Sequence, residues 1–318
     1  MFGDRPAEFP QLISFLLVPG FSLFGLTAML DPLRHANRTS NRELYRWQLI
    51  SEQGGLVESS DALEIMTHLS IRDVSKCETL VVCAGDEPQA KVTPALLGFI
   101  RQQAGLGVDI GSQDTAAWIT ASAGVMDGYR TTMHWENIAS TAEAFPNVHL
   151  VSELFVIDRK RFSCCGALSG VDMMLHLIAT QHGSLLATEV GDELIFTQKR
   201  EQDDPQRSSL QQRLNSRNPH LVEAVRLMEQ NMEEPLRIPE IADYLAISER
   251  ELERLFRHYL QSTPNAFYRD LRLDRARTML QQTTDSVTSI SLACGFVSLS
   301  HFSRCYQKRF GKKPSAER

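Results

Sequence analysis

One short pattern occurs twice, fifty residues apart, near the end of this chain, and it leaves room for little but paired short helices. The first copy runs from Ile238 to Pro264 and the second from Val287 to Pro314. Ser248, Leu252, Arg254, Phe256, Leu260 and Pro264 recur as Ser298, Phe302, Arg304, Tyr306, Phe310 and Pro314. Each copy predicts helix, turn, helix. In the first, Ile238, Ile241, Ala242 and Leu245 form an apolar face, and Ser248 sits where an N-cap belongs, with Glu251 as its capping-box partner. The next helix is expected to bury Leu252, Leu255, Phe256 and Tyr259, leaving Arg250, Glu253, Arg254 and Arg257 outside. In the second copy Gly295 marks the turn and Ser298 the cap. Phe302, Cys305, Tyr306 and Phe310 face inward; Ser300, His301, Ser303, Arg304 and Lys308 face outward. The second turn is one residue longer, because Ile241 to Ser248 spans seven steps and Ile290 to Ser298 spans eight. A short helix behind a tight turn, with arginine on its outer face, is what a DNA major groove accepts.

Between the copies, Pro264 to Gln281 predicts one more helix. Pro264 suits its first turn. Phe267, Leu271, Ala276 and Leu280 supply apolar positions, and Arg269, Arg272, Arg275 and Arg277 supply charge, so this helix would hold the motifs at a fixed separation. From Arg250 onward there are 13 basic and 6 acidic residues, a net of +7; the whole chain carries −6, so the part before Arg250 carries −13. A basic end on an acidic protein is the footprint of a nucleic-acid module joined to something else. The two serine caps, Arg254 and Arg304, the Gly295-Phe296 turn, the Arg275-Ala276-Arg277 run and the closing Gly311-Lys312-Lys313-Pro314 resemble the AraC/XylS family of transcription factors. The bland alternative for these helices is a protein-interaction domain.

A length of 318 residues fits two domains, and 42% apolar residues are enough for two cores. No charge occurs from Phe9 to Leu30, but Pro19-Gly20 breaks the stretch, and neither a basic leader nor a cleavage pattern accompanies it. It therefore reads as strand (Leu12 to Val18), turn, helix (Phe21 to Asn37), not as a membrane or targeting segment. Further strands are expected at Tyr45 to Ser51, Thr79 to Cys83, Gly107 to Ile110, Val148 to Ser152 and Leu154 to Asp158. Helices are expected at Pro94 to Gln103, from beyond Asp114 to Ala123, and at Leu168 to Thr180. This alternation implies an α/β domain, a mainly parallel sheet with helices on both faces. The polar run around 201–209 places a linker at 201–217, between an α/β domain at 10–200 and an all-α domain with two helix-turn-helix motifs at 218–318. Cys77, Cys83, Cys164, Cys165, Cys294 and Cys305 show no metal-ligand spacing and read as buried thiols of a reducing compartment. Met173 and Met174 read as core.

The strand-turn-helix at 107–123, with the following Ala123 to Trp135, resembles the class I glutamine amidotransferase-like (PfpI-type) domain over about residues 10–195. Enzymes of that superfamily carry a cysteine nucleophile on the sharp turn. Here Asp114 takes that place within Gln113-Asp-Thr-Ala-Ala117, and Gly25 stands where related enzymes place a glutamate. A carboxylate cannot replace a thiolate in this chemistry, so the resemblance implies a domain without catalysis and without cofactor or metal. Ligands of open α/β sheets bind beyond the carboxyl ends of the strands, which gathers Phe21, Gly85, Ser112, Asp114, Thr115, His134 and Trp135 as candidates. Asp114 beside aromatics suits a cationic or zwitterionic ligand. Against that stand a simple helix-capping role for Asp114 and a packed pair for His134 and Trp135.

The union of the two resemblances implies a cytoplasmic transcriptional regulator whose first domain senses a small effector, in a subfamily of which some members respond to amino acids or small quaternary amines such as glycine betaine and carnitine. Its expected partners are duplex operator DNA, the effector, RNA polymerase and a second copy bound through the first domain. The rival is an enzyme of the amidohydrolase or deglycase kind with a DNA-binding appendage, against which Asp114 argues. An architectural nucleic-acid protein fits poorly with a large acidic domain.

Overall fold

The computed structural model describes residues 10–196, 200–207, 209–283 and 285–317. The chain divides into two compact units between Gln206 and Arg207. No helix among the described residues is long and apolar enough to cross a membrane.

The first unit begins with β1 (Gln11–Leu17), α1 (Leu23–Ser40), β2 (Tyr45–Ser51), a hairpin of β3 (Gly55–Glu58) and β4 (Glu64–Thr67), and the short β5 (Leu69–Ser70). It continues with β6 (Thr79–Cys83), α2 (Pro94–Gly105), β7 (Asp109–Gln113), α3 (Ala116–Ser122), β8 (Arg130–Thr131), α4 (Ile138–Ala144) and β9 (His149–Leu150), and closes with β10 (Phe155–Asp158), β11 (Arg161–Cys164), α5 (Ser169–His182) and α6 (Ser184–Glu193). Seven strands make one sheet in the order β10-β11-β7-β6-β1-β2-β5. All neighbours are parallel except β10 with β11. Strand alternation sorts the core into two layers. Ile13, Phe15 and Leu17 of β1, with Val81 and Cys83 of β6, pack beneath α1, α5 and α6. Leu16, Leu80, Val82 and Ile110 pack beneath α2 and α3 on the other face. Met173, Met174, Cys164 and Cys165 are core residues, as expected.

The expected elements diverge from the structure in the second half of the unit. The strand at Gly107 to Ile110 lies two or three residues later, because Gly107 is used to turn out of α2, with Val108 N–H donating to Gln103 O. Val148 to Ser152 yields only the two-residue β9, which pairs with β8 outside the main sheet. The strand that does flank β7 is β11, whose Arg161 hides the apolar signal: the side chain is buried and donates to Val125 O and Lys160 O. The β3–β4 hairpin and α6 were not foreseen.

The segment expected as a free linker, 201–217, is not free at its start. Arg200 reaches the buried Asp172 of α5 through its backbone N–H (3.1 Å) and through Nε and Nη2 (3.0 and 2.6 Å). Leu154 N–H donates to Gln202 O, and Gln206 Nε2 donates to Thr132 Oγ1, Met133 O and Glu153 O. Residues 200–206 are thus a strap on the first unit. Beyond it α7 (Leu210–Arg213) leads to Leu214, which is buried in the second unit's core.

The second unit contains α8 (Pro219–Gln230), α9 (Ile238–Tyr244), α10 (Glu249–Leu260), α11 (Pro264–Gln282), α12 (Val287–Ala293) and α13 (Leu299–Phe310). The motifs α9–α10 and α12–α13 each own a core, and α11 serves both: Tyr268 belongs to the first, while Leu273, Ala276 and Leu280 belong to the second. Arg272, one of the residues expected to supply charge, is half-buried and donates to Gly295 O at 2.9 Å. Its guanidinium stands 4.7 Å from the Phe296 ring centre. Tyr259, expected inside, is 39% exposed against His258. Ser248 Oγ accepts from Glu251 N–H as an N-cap should, but the Glu251 carboxylate turns to Arg254, so the reciprocal half of the capping box is not made.

Burial pushes the Asp172 carboxyl upward despite three contacts from Arg200. Such a pair adds little net stability, yet removing one partner leaves the other stranded, at a cost of roughly 3 kcal/mol. Arg200→Ala is expected to lower the stability of the first unit by about that much. Urea denaturation followed by tryptophan fluorescence reads it directly, since Trp47, Trp118 and Trp135, the three tryptophans of the chain, all lie in this unit. A change under about 0.5 kcal/mol would reduce the pair to an ordinary surface contact.

Candidate functional site

Between the end of β7 at Gln113 and the start of α3 at Ala116, the whole reversal is made by Asp114 and Thr115. Asp114 adopts left-handed backbone geometry, φ 60°, which among residues with a Cβ asparagine and aspartate bear best. Its N–H donates to Cys164 O at 3.0 Å, tying the turn to β11. Thr115 Oγ1 donates to Gly85 O at 2.6 Å, tying it to the loop after β6, and Gly85 pairs with Phe21 beyond β1. The carboxyl ends of β1, β6, β7 and β11 are therefore stitched together at one point. A Cβ on Gly166 would stand 2.6 Å from Asp114 Oδ2, so the glycine leaves the room that the carboxylate fills. Burial pushes the Asp114 carboxyl up to about 7; Asp86 and Glu136 push the same way, and the Thr115 N–H opposes them.

Of the expected crevice residues, Asp114, Thr115 and Gly85 are brought together. Phe21, paired with Gly85, and Ser112 are both fully buried. Thr115, not Asp114, occupies the N-cap position of α3, and its side chain makes no cap bond. His134 and Trp135 are partly buried with rings 5.5 Å apart. His134 Nδ1 lies 3.8 Å from Glu136 Oε2, and burial keeps its pKa below the usual range although Glu136 opposes this.

Sequence reasoning passed over Gln113, Asp86, Glu136 and Gly166. Gln113 is fully buried, and neither Oε1 nor Nε2 has a hydrogen-bond partner among the described residues. Its amide lies where a side chain on α1 would go: a Cβ on Gly25 would meet Nε2 at 1.9 Å. The pairing was not legible in the sequence, where Gly25 was read as a departure from the enzyme pattern and Gln113 was given no role. Among the described residues no three His, Cys, Asp or Glu groups are arranged to hold a metal ion. A separate groove of about 350 Å³, lined by Glu52, Ile71, Arg72 and the α2 residues Ala95, Phe99 and Gln102, includes none of the candidates.

In the second unit, α10 exposes Arg250, Glu253, Arg254 and Arg257. Arg254 is held along the helix by Glu251 in a two-pronged contact of 2.8 and 2.6 Å, and Arg257 approaches Glu253 at 4.0 Å. Exposed pairs of this kind are screened by solvent and contribute little, so the arginine can exchange its partner for another anion. On α13, Ser298, Ser300, His301, Arg304 and Lys308 are exposed and Ser303 is half-exposed. His301 Nε2 lies 3.3 Å from Cys305 Sγ. Arg309 is spent elsewhere, clamping α13 to Asp270 and Asp274 of α11.

A family model described as a helix-turn-helix domain matches residues 241–318. The HTH-type transcriptional regulator GbdR of Pseudomonas aeruginosa is 42% identical over 309 residues, covering 97% of this chain and 84% of its own. An AraC family transcriptional regulator from Pseudomonas putida superposes with a TM-score of 0.52 at 29% identity, over 58% of this chain and all of the other. The chain belongs to the AraC family of helix-turn-helix transcriptional regulators. A THiJ/PfpI family protein from Pseudomonas syringae shares the fold of the regulator's first unit, with a TM-score of 0.52 at 20% identity over 74% of this chain and 90% of its own. The regulator thus carries a PfpI-like α/β fold ahead of its DNA-binding helices.

The raised Asp114 pKa sets a pH dependence with a definite sign. An unfolded aspartate titrates near about 4, and Asp114 in the fold near about 7, so the folded regulator holds this proton more tightly. The stability that the proton confers is complete below the unfolded value and is lost as pH rises through the folded one. The first unit is expected to weaken from about pH 4 to pH 7 and to level off above, and Asp114→Asn to remove that part of the slope. Urea midpoints of the tryptophan signal at pH 5 and pH 8 compare the two proteins. The same slope in both would assign it to other carboxyls.

Proposed function

We propose that the regulator binds an operator through two reading helices, α10 and α13, set in successive major grooves about 34 Å apart, and that a small effector held at the Asp114 crevice controls this binding. The observation that carries the sensing half is Asp114 itself: an acidic side chain with a pKa raised to about 7, placed where the strand ends converge. Its carboxylate, with Trp135 and His134 on the same loop cluster, suits an amino acid or a small quaternary amine by charge pairing and cation–π contact. Gly85 and Thr115 would shape the pocket, with Phe21 and Ser112 beneath. The base and phosphate contacts fall to Arg250, Glu253, Arg254, Arg257, Ser298, Ser300, His301, Ser303, Arg304 and Lys308. The regulator would work as a homodimer joined through its first unit and would act on RNA polymerase in the cytoplasm. The strap at 200–206 supports a route for the signal, because Gln206 bonds to Thr132 and Met133, next to His134 and Trp135.

An enzymatic reading has less to support it. Asp114 is not a thiolate, Gln113 fills the space of the acid that related enzymes carry, and the nearby Cys164 is pushed up to about 12 by burial, which keeps it a thiol. We infer that the first unit binds without turnover. Restoring the nucleophile alone, in Asp114→Cys, is expected to give no glutaminase or glyoxalase activity, and turnover by the unaltered protein would overturn the inference.

Two measurements test the regulatory reading. A cationic effector binds the ionised carboxylate, so its affinity should rise from pH 6 to pH 8, and Asp114→Asn should weaken it at least tenfold, as roughly 1.4 kcal/mol or more of charge interaction is lost. Calorimetric titration with a panel of amino acids and methylated amines reads both effects; unchanged binding by the variant would move the site elsewhere. On the DNA side, Arg254→Ala and Arg304→Ala should each lose about 1–3 kcal/mol of discrimination, at positions one helical turn apart. A base-by-base affinity scan shows this, and loss at the same base pairs would contradict the two-groove arrangement.

A further inference from the structure

Residue 297 has no counterpart in the first motif. Both turns begin alike, since Ala246 and Gly295 adopt left-handed backbone geometry, with φ of 54° and 72°. The following residues both turn inward: Ile247 packs against the first core, and Phe296 lies within the second. In the first motif the cap Ser248 comes next. In the second, Val297 stands between Phe296 and the cap Ser298, and it accounts for the extra step in that turn.

The inserted valine is 99% exposed, more than any other large apolar side chain among the described residues. Its neighbours hold it in place. Phe296 packs against Phe302 with ring centres 5.1 Å apart and lies under the Arg272 guanidinium, while Ser298 Oγ accepts from His301 N–H. Leu299, the first residue of α13, is itself 42% exposed. Two apolar side chains therefore project from the end of the helix that carries Ser300, His301 and Arg304. The amino-terminal end of a reading helix is the part that meets base edges, and the one apolar feature a base presents in the major groove is the C5 methyl of thymine.

We propose that Val297, with Leu299 beside it, reads a thymine by packing on its C5 methyl, and so gives the second half of the operator a preference that the first motif, with Ile247 turned inward, does not share. The proposal rests on the reading that α13 enters the major groove. It involves no charge, so its contribution is separable from that of Arg304.

The test uses the full chain and duplexes selected by it from a random library. Each thymine is replaced singly by deoxyuridine, which removes the methyl and keeps the pairing. The unaltered regulator should lose about fourfold in affinity at one thymine, the value of one buried methyl group, in the half-site whose base preference depends on Arg304. Val297→Ala should bind the thymine and deoxyuridine duplexes equally at that position and keep every other sensitivity. Its thermal unfolding should be unchanged, because the side chain packs on nothing in the fold. If Val297→Ala keeps the full deoxyuridine profile of the unaltered protein, the proposal is overturned. It is equally overturned if the variant binds all duplexes normally but loses transcriptional response with purified polymerase, which would make Val297 a protein contact. Should Arg304→Ala alter no base preference, the groove placement of α13 fails first and takes the proposal with it.

Discussion

Every strand from β11 to β5 runs in one direction, and helices cover both faces of the sheet. Side chains on those faces are committed to the two core layers, so polar groups can meet solvent only at the strand ends. The constraint explains why the turn after β7 concentrates so much. Asp114 must reverse the chain within two residues, its N–H satisfies β11, and the next side chain satisfies the loop after β6. The same crowding takes water away from its carboxyl and raises the pKa to about 7. The geometry that the sheet requires and the raised pKa arise from one residue.

The second unit obeys a different economy. A bundle of short helices has too little interior to fix two helix-turn-helix motifs independently, and α11 gives one stretch to each core. Two of its four arginines are structural. Arg272 closes on Gly295 O and Phe296, Arg277 on Glu317, and the acidic Asp270 and Asp274 hold Arg309 of α13. The net charge of +7 from Arg250 onward therefore overstates what faces DNA. The charge left for a partner is concentrated on α10 and α13, where the pairs are local, exposed and cheap to open.

This division decides how much the sequence could reveal. Repeat spacing, serine caps and apolar faces are local properties, and they located α9, α10, α12 and α13 closely. The β1-to-α1 turn and β6 were legible for the same reason, as unbroken apolar strands bounded by Pro19-Gly20 and Gly85. The losses lie where a residue's state depends on distant chain. Arg161 looks like surface but is buried by Val125 O, which lies 36 residues away. Glu251 looks like a capping partner but finds Arg254 first. Gln206 looks like linker but is bound by three oxygens of the loops at 132–133 and 153. At the crevice, Asp114 was visible from its place on the turn, while Gln113, Asp86 and Glu136 were not, because burial and neighbouring charge carry no local pattern.

Gly25 and Gln113 tie the first helix to the turn after β7. A side chain at position 25 and the present Gln113 amide compete for one volume, the closest approach being 1.9 Å. An acid on α1 is therefore incompatible with glutamine in this rotamer. Likewise, Gly166 is the space that Asp114 fills. These two fits sit on either side of one turn, in a core packed too densely to absorb a change in either alone. Changing residue 114 without its surroundings would leave a thiol with no acid partner, under an amide whose own hydrogen bonds are unmade. Gly25, Gln113, Asp114 and Gly166 thus form one packed unit around the turn after β7.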